Sequence, residues 1–155
     1  MRNYLKLIIS ILIPLIIGFI GSYFTSKSVD TWYAMLKKPS FNPPNWVFAP
    51  VWILLFVLIG LSFYFVWIKN FEKHVKTALL VYLIQLFLNL MWPLLFFGLQ
   101  SPLMALIEIF ILWLVIFANI IVFHRISKKA GFLLIPYLLW VAFAMILNLN
   151  IFILN

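Results

Sequence analysis

The side chains in this 155-residue sequence that could take part in chemistry are mostly rings and amides. Gln85, Asn89 and Trp92 follow one another at intervals of four and three, and Trp140, Ala144 and Asn148 at intervals of four. On a helix each set shares one face. Trp52 closes the stretch KPSFNPPNWVFAPVW, residues 38–52, which holds four prolines. Inward-facing indoles and amides make a pocket suited to a flat, largely apolar ligand, because rings stack and a few polar groups fix orientation. The plainer alternative is that tryptophans anchor helix ends at a membrane interface and that Asn side chains bridge helices. That alternative is preferred for Trp46 and Trp113, and the pocket for Trp52, Asn89, Trp92 and Trp140. Glu108 is the one carboxylate inside an apolar run. It has three readings: a structural hydrogen bond to a backbone or amide group, a protonated acid, or a part in gating or proton coupling. A single acid does not make an acid/base pair.

Other chemistries are excluded by what the sequence lacks. There are no cysteines, which removes disulfides and thiolate metal sites. His74 and His124 stand in or beside basic loops without metal-ligand spacing, so neither a metal site nor a haem ligand is expected. No glycine-rich phosphate loop, zinc-hydrolase spacing or Gly-x-Ser-x-Gly occurs. A kinase, a dehydrogenase and a serine hydrolase fall away together. The composition, 67% hydrophobic and 9% charged, offers too little polar side chain to cover a water-soluble globule. The net charge of +8 gathers in short groups at the ends of apolar runs, where lipid headgroups lie, so nucleic acid is not an expected partner.

The elements that must position these residues are five apolar runs, at about residues 7–24, 46–68, 77–97, 102–123 and 131–153. The third carries no charge over its length and at 1.5 Å per residue spans roughly the hydrocarbon thickness of a bilayer. The runs are continuous rather than alternating, which argues for helices and against a barrel. The first starts after Arg2 and Lys6 and lacks a small-residue cleavage site, so it reads as a retained helix rather than a signal peptide. Gly18, Gly21 and Ser22 form a small-residue face on it, Gly60 offers another close contact, and Pro14 and Pro93 are candidate bends. Residues 98–101 are so short a link that the third and fourth helices must be antiparallel neighbours, and Pro102 suits a first helical turn. The fold class is therefore an all-α integral membrane protein, a five-transmembrane-helix bundle in a single domain over residues 1–155. Its one sizeable connection is residues 25–45, stiffened by Pro39, Pro43 and Pro44.

Charge counting gives an orientation. Arg2, Lys6, Lys69, Lys73, Lys76, Arg125, Lys128 and Lys129 fall on one side, and Lys27, Lys37 and Lys38 on the other. The richer side is expected in the cytoplasm. The N-terminus is then cytoplasmic, with the proline-rich loop and the C-terminus outside.

The text as a whole resembles the TspO/MBR family, tryptophan-rich sensory proteins related to the mitochondrial translocator protein. The matching residues are Trp32-Tyr33, Leu36, Lys38-Pro39, Pro43-Pro44, Phe48, Pro50-Val51-Trp52, Gln85, Asn89, Trp92-Pro93, Glu108, Pro136-Tyr137, Trp140, Phe143-Ala144 and Asn148. The resemblance covers essentially the whole chain. It implies the TspO/MBR fold, five helices with the first loop closing over a ligand cavity, and a ligand set of Tyr33, Pro44, Trp52, Asn89, Trp92, Trp140, Phe143, Ala144 and Asn148. It also implies binding of tetrapyrroles such as protoporphyrin IX, with no required cofactor, and a homodimer. Trp52 and Trp140 match the tryptophans tied in some members to light- and oxygen-dependent porphyrin breakdown, and so are the candidate catalytic residues. Two departures stand out. Phe41 replaces a common Trp, and no basic residue follows Tyr137 in the last helix, which argues against cholesterol as the natural ligand. The absence of a targeting presequence fits a bacterial cytoplasmic membrane, with lipid as the surrounding partner.

On this reading the macrocycle lies against Trp52, Trp92 and Trp140, and its carboxylates reach Lys37 or Lys38. Three function classes follow: a porphyrin-binding receptor or sensor, a tetrapyrrole or lipid transporter, and a slow photo-oxidative porphyrin-degrading enzyme. Transport would move ligand across vesicles in the dark, and enzymatic action would turn over more than one equivalent.

Overall fold

The structure, a computed structural model, describes residues 1–69 and 73–155. Among the described residues all regular structure is helical: α1 (Asn3–Ser28), α2 (Trp32–Met35), α3 (Asn45–Trp67), α4 (Val75–Pro93), α5 (Pro102–Ile126), α6 (Lys128–Leu133) and α7 (Ile135–Leu154), with a wider π-helical turn over Leu94–Gly98. Five segments are long and apolar enough to cross a membrane: Asn3–Ser28, Asn45–Trp67, Val75–Gly98, Pro102–Ile126 and Lys128–Leu154. The protein is a multi-pass membrane protein.

Proline sets most of the boundaries. Pro44 is extended, with ψ 147°, and stands as the N-cap of α3. Pro93 cannot donate to the Asn89 carbonyl, and the ladder relaxes into the π-helical turn directly after it. Gln100 then takes a left-handed conformation, φ 53°, to reverse the chain. Pro102 occupies the first turn of α5, capped by the Ser101 hydroxyl, which accepts from the Met104 N–H at 3.3 Å. The fifth run, expected as one helix, is two. α6 stops at Leu133 and α7 begins at Ile135, because Pro136 has no N–H for the Phe132 carbonyl.

The bundle packs an apolar core and also keeps its polar side chains inside, leaving large apolar ones to face outward, as a lipid solvent demands. Ser10, Ser62, Gln85, Asn89, Glu108, Asn119 and Asn148 are buried, while Phe19, Leu83, Phe87, Phe110 and Leu139 face outward. Helix α1 meets α3 at Gly60, where an added Cβ would stand 2.6 Å from the Ile11 Cα and the Ser10 carbonyl oxygen. That contact admits only glycine.

The two ends of the bundle close differently. At one end, Phe63, Tyr82 and Phe123 form a stack with centroids 4.5 Å and 5.8 Å apart. There α6 is wedged in, with Ala130 buried, its carbonyl accepting from the Ser62 hydroxyl at 2.7 Å. Basic residues cluster at this end: the Lys6 ammonium lies 5.8 Å from the Trp67 ring centroid and that of Lys129 5.6 Å from Phe65. At the other end, residues 29–44 fold across the helices as a flap.

Candidate functional site

The flap is built around Tyr33, which α2 turns into the bundle, where it is buried. Its ring meets Phe97 and Phe96 edge-on at 5.5 Å and 6.1 Å. Its hydroxyl donates to the Asn42 side-chain oxygen at 3.5 Å, closing the flap on itself. Burial pushes the Tyr33 phenol above the ordinary tyrosine range, and the Asn42 hydrogen bond partly offsets this. The Lys38 ammonium sits 4.5 Å from the Tyr33 ring centroid and donates to the Leu36 carbonyl at 3.2 Å. Two hydrogen bonds between the Lys37 backbone and the Asn155 side chain, at 3.0 Å and 2.9 Å, tie the flap to the end of α7. At the base of the flap the Ser28 hydroxyl donates to the Phe97 carbonyl at 2.9 Å.

Beneath the flap lies a cavity of about 480 Å³, walled by α1, α3, α4, α5 and α7. Tyr33, Trp52, Asn89, Trp92, Trp140, Ala144 and Asn148 all line it. The two other residues assigned to the ligand set, Pro44 and Phe143, are not part of its lining. Pro44 caps α3, and the Phe143 ring packs between Trp140, at 5.4 Å, and Phe41, at 6.4 Å. Phe41 thereby tethers the flap to α7.

The amides hold the rings in place. Trp92 Nε1 donates to Asn148 Oδ1 at 3.0 Å, and Asn148 Nδ2 donates to the Pro102 carbonyl at 2.9 Å. This chain joins α4, α7 and the start of α5. Asn89 Nδ2 donates to the Tyr137 hydroxyl at 2.6 Å, which donates to Gln85 Oε1 at 3.0 Å. Tyr137, fully buried, in turn meets the Trp52 ring edge-on at 6.3 Å. Trp140 rests on Phe48 and Phe143 and keeps its indole N–H without a protein partner among the described residues.

Several cavity residues had no signal at the level of single motifs. Ile17, Gly18, Gly21, Ser22 and Thr25 of α1 line the cavity, as do Ile109 and Leu112 of α5. The small-residue face of α1 was legible, but as a helix contact; it does both jobs. A side chain at Gly18 would run into Phe56, and one at Gly21 would stand 3.1 Å from Pro93. Trp46 also reaches the cavity wall although it is largely exposed, and Trp113 stacks on Phe117, 6.1 Å away. Among the described residues Asp30 is the one charged residue on the wall, and Lys37 and Lys38 are not part of it. His74 precedes α4 and His124 packs edge-on against Phe132 in the last turn of α5. Neither touches the cavity wall. Stacking, hydrogen bonding by amides and one-electron oxidation of an indole are the chemistries this arrangement offers.

Comparison with known proteins agrees over nearly the full length. Residues 10–154 match the pattern of the TspO/MBR family. The chain is 48% identical over 155 residues to the "Tryptophan-rich protein TspO" of Archaeoglobus fulgidus, covering 99% of each chain. It is 44% identical to the protein of the same name from Chlorobaculum tepidum, covering 99% of this chain and 98% of that one. Against the "Translocator protein" of Bos taurus it is 38% identical over 139 residues, 88% of this chain and 82% of the relative.

Proposed function

The chain belongs to the TspO/MBR family, and from that premise we propose that the cavity beneath the flap receives protoporphyrin IX or a similarly flat hydrophobic molecule, the protein acting as a membrane receptor or sensor. The observation that carries this reading is the cavity itself. Trp46, Trp52, Trp92 and Trp140 converge on about 480 Å³ of space, within the range of about 300–1,000 Å³ usual for small-molecule sites. Each indole in contact with a macrocycle adds about 1 kcal/mol beyond simple area burial. The amide chains spend their hydrogen bonds on positioning Trp92 and Tyr137, so the wall is pre-organised before a ligand arrives. The ligand's polar groups face the flap. Lys37 is tied to Asn155 through its backbone, which leaves its ammonium able to meet the ligand's carboxylates, whereas the Lys38 ammonium meets them by leaving the Leu36 carbonyl and the Tyr33 ring.

The test is a titration of detergent-solubilised protein with protoporphyrin IX in the dark, followed by tryptophan fluorescence. Saturable quenching at one equivalent is expected, and its absence overturns the reading. Admitting light then examines a second reading, favoured by the placement of Trp52 and Trp140 on the same cavity wall. An indole there gives an electron to the photo-excited porphyrin, dioxygen adds to the resulting porphyrin radical anion and forms the C–O bonds that open the macrocycle, and the oxygenated radical returns one electron to the indole radical, so that dioxygen is the net oxidant. Trp52→Phe with Trp140→Phe is expected to keep binding and to suppress the light-driven loss of porphyrin absorbance. The homodimer and the placement of the flap on the outer face of a bacterial cytoplasmic membrane belong to the same proposal. Cross-linking and terminal epitope tags check them.

A further inference from the structure

Glu108 lies six residues into α5, about 9 Å of helical rise from its start. It shares the buried face of that helix with Leu112, Ile116 and Asn119. Its side chain is only 7% exposed, and neither carboxyl oxygen has a hydrogen-bond partner among the described residues. The structural hydrogen bond considered for it from the sequence is not formed.

The groups that face Glu108 are uncharged. The buried face of α4 carries Gln85 and Asn89, of which Gln85 keeps its Nε2 unpartnered, while Tyr82 on the same face stacks on Phe123 toward the far end of α5. From α7 comes Tyr137, whose phenol is within electrostatic reach of the carboxyl. The buried face of α3 offers no ionisable side chain, and the π-helical turn offers Phe96 and Phe97. The basic groups nearest along α5 are His124 and Arg125, in its last turn, about 24 Å away along the axis. Lys128 and Lys129 of α6 lie farther still. A bare carboxylate in such surroundings costs several kcal/mol, which a bound proton removes.

The position also reads the cavity. Ile109 and Leu112, one and four residues on, line the cavity wall, and so does Asn89, which holds Tyr137. Glu108 itself stands off the wall, with both carboxyl oxygens closed to water. Water in the cavity therefore favours its ionised form only through its high dielectric across the intervening side chains, and an apolar ligand that displaces that water removes this support. We propose that Glu108 is a proton-binding site linked to the cavity, so that a hydrophobic ligand and a proton bind together. The proton site stands on Glu108 and its neighbours alone; the linkage rests on the ligand reading above.

Linkage fixes the sign and is reciprocal. The ionised form is favoured by the polarisable water that the ligand expels. Ligand affinity therefore falls as pH rises through the titration of Glu108, by up to tenfold per pH unit for one linked proton, and is flat below it.

Protoporphyrin IX dimethyl ester is the probe, since its propionates carry no charge of their own. Its affinity in the dark is measured against pH for wild-type protein and Glu108→Gln. A slope in the wild type that vanishes in the variant supports the linkage. A flat wild-type profile, or a slope that survives in Glu108→Gln, overturns it. Infrared difference spectra between wild type and Glu108→Gln at neutral pH, without ligand, test the proton site separately. Loss of a protonated-carboxyl carbonyl band in the variant supports it, and loss of carboxylate bands instead overturns it. If the variant does not fold, the pH titration of that band in wild-type protein decides. Failure of the ester to bind at all with the carboxyl band present would sink the ligand reading and the linkage together, and leave the proton site standing.

Discussion

The two ends of this bundle use the same kind of side chain for opposite purposes. At the α6 end, Phe63, Tyr82 and Phe123 stack on one another, with Leu134 fully buried beside α6. At the flap end, Trp92 is held by its hydrogen bond to Asn148, Trp52 by the Tyr137 ring and Trp140 by Phe48 and Phe143, and a cavity remains between them. Aromatic content alone therefore does not make a site. A helix inserted between neighbours lets rings collapse on each other. A loop laid across the top, anchored at Tyr33, Phe41 and Lys37, covers the rings without filling the space. The amides differ in the same way. Asn148 spends both its side-chain groups on Trp92 and the Pro102 carbonyl, whereas Asn119, toward the other end of α5, has neither of its groups partnered among the described residues.

Substitutions can break this contrast, beginning with the packed end. Phe123 is completely buried, so Phe123→Ala should cost about 3–5 kcal/mol. Thermal unfolding in detergent would show it, and a cost near zero would mean that this end is as open as the other. Gly60→Val should cost about 1–3 kcal/mol, because its Cβ would press on the backbone of α1 at Ile11. The flap end should respond in the reverse sense. Ala144 lines the cavity, and Ala144→Phe should leave stability unchanged or raise it by about 1 kcal/mol. The same change should weaken porphyrin binding at least tenfold in the fluorescence titration. Destabilisation on the scale of Phe123→Ala would instead show that the cavity closes in solution.

The smallest effect concerns the flap itself. The Tyr33 phenol is held above its ordinary range by burial. Its contribution to flap closure is fully present below the unfolded-state value, about 10, and is lost as pH rises through the folded one. Proteolysis of the flap should accelerate above about pH 10 in the wild type. In Tyr33→Phe the rate should show no such rise.

Much of the fold was legible because lipid simplifies the code. With backbone groups unable to hydrogen-bond to lipid, an apolar run of the right length is a helix. The short link over residues 98–101 forced α4 and α5 together. The break at Leu134 was harder to see. Pro136 marked it, but Pro14 and Pro50 sit within helices that continue through them, so proline alone did not discriminate. Trp92, Asn89 and Asn148 could be grouped from helical spacing. The contribution of α1 to the cavity could not, since Gly18 and Gly21 look the same whether a helix or a void stands opposite.

By itself the sequence determined that this chain crosses a membrane on five apolar segments, where its basic residues gather, and which rings and amides share a helix face. Those properties follow from local composition and period. Tertiary structure alone decided that the rings at one end enclose a space while those at the other fill it, that Lys37 and Lys38 stay off the cavity wall, and that Glu108 has no hydrogen-bond partner among the described residues. The physical reason is that a cavity and an unpaired group are defined by what several distant segments fail to occupy, and no single segment carries that information.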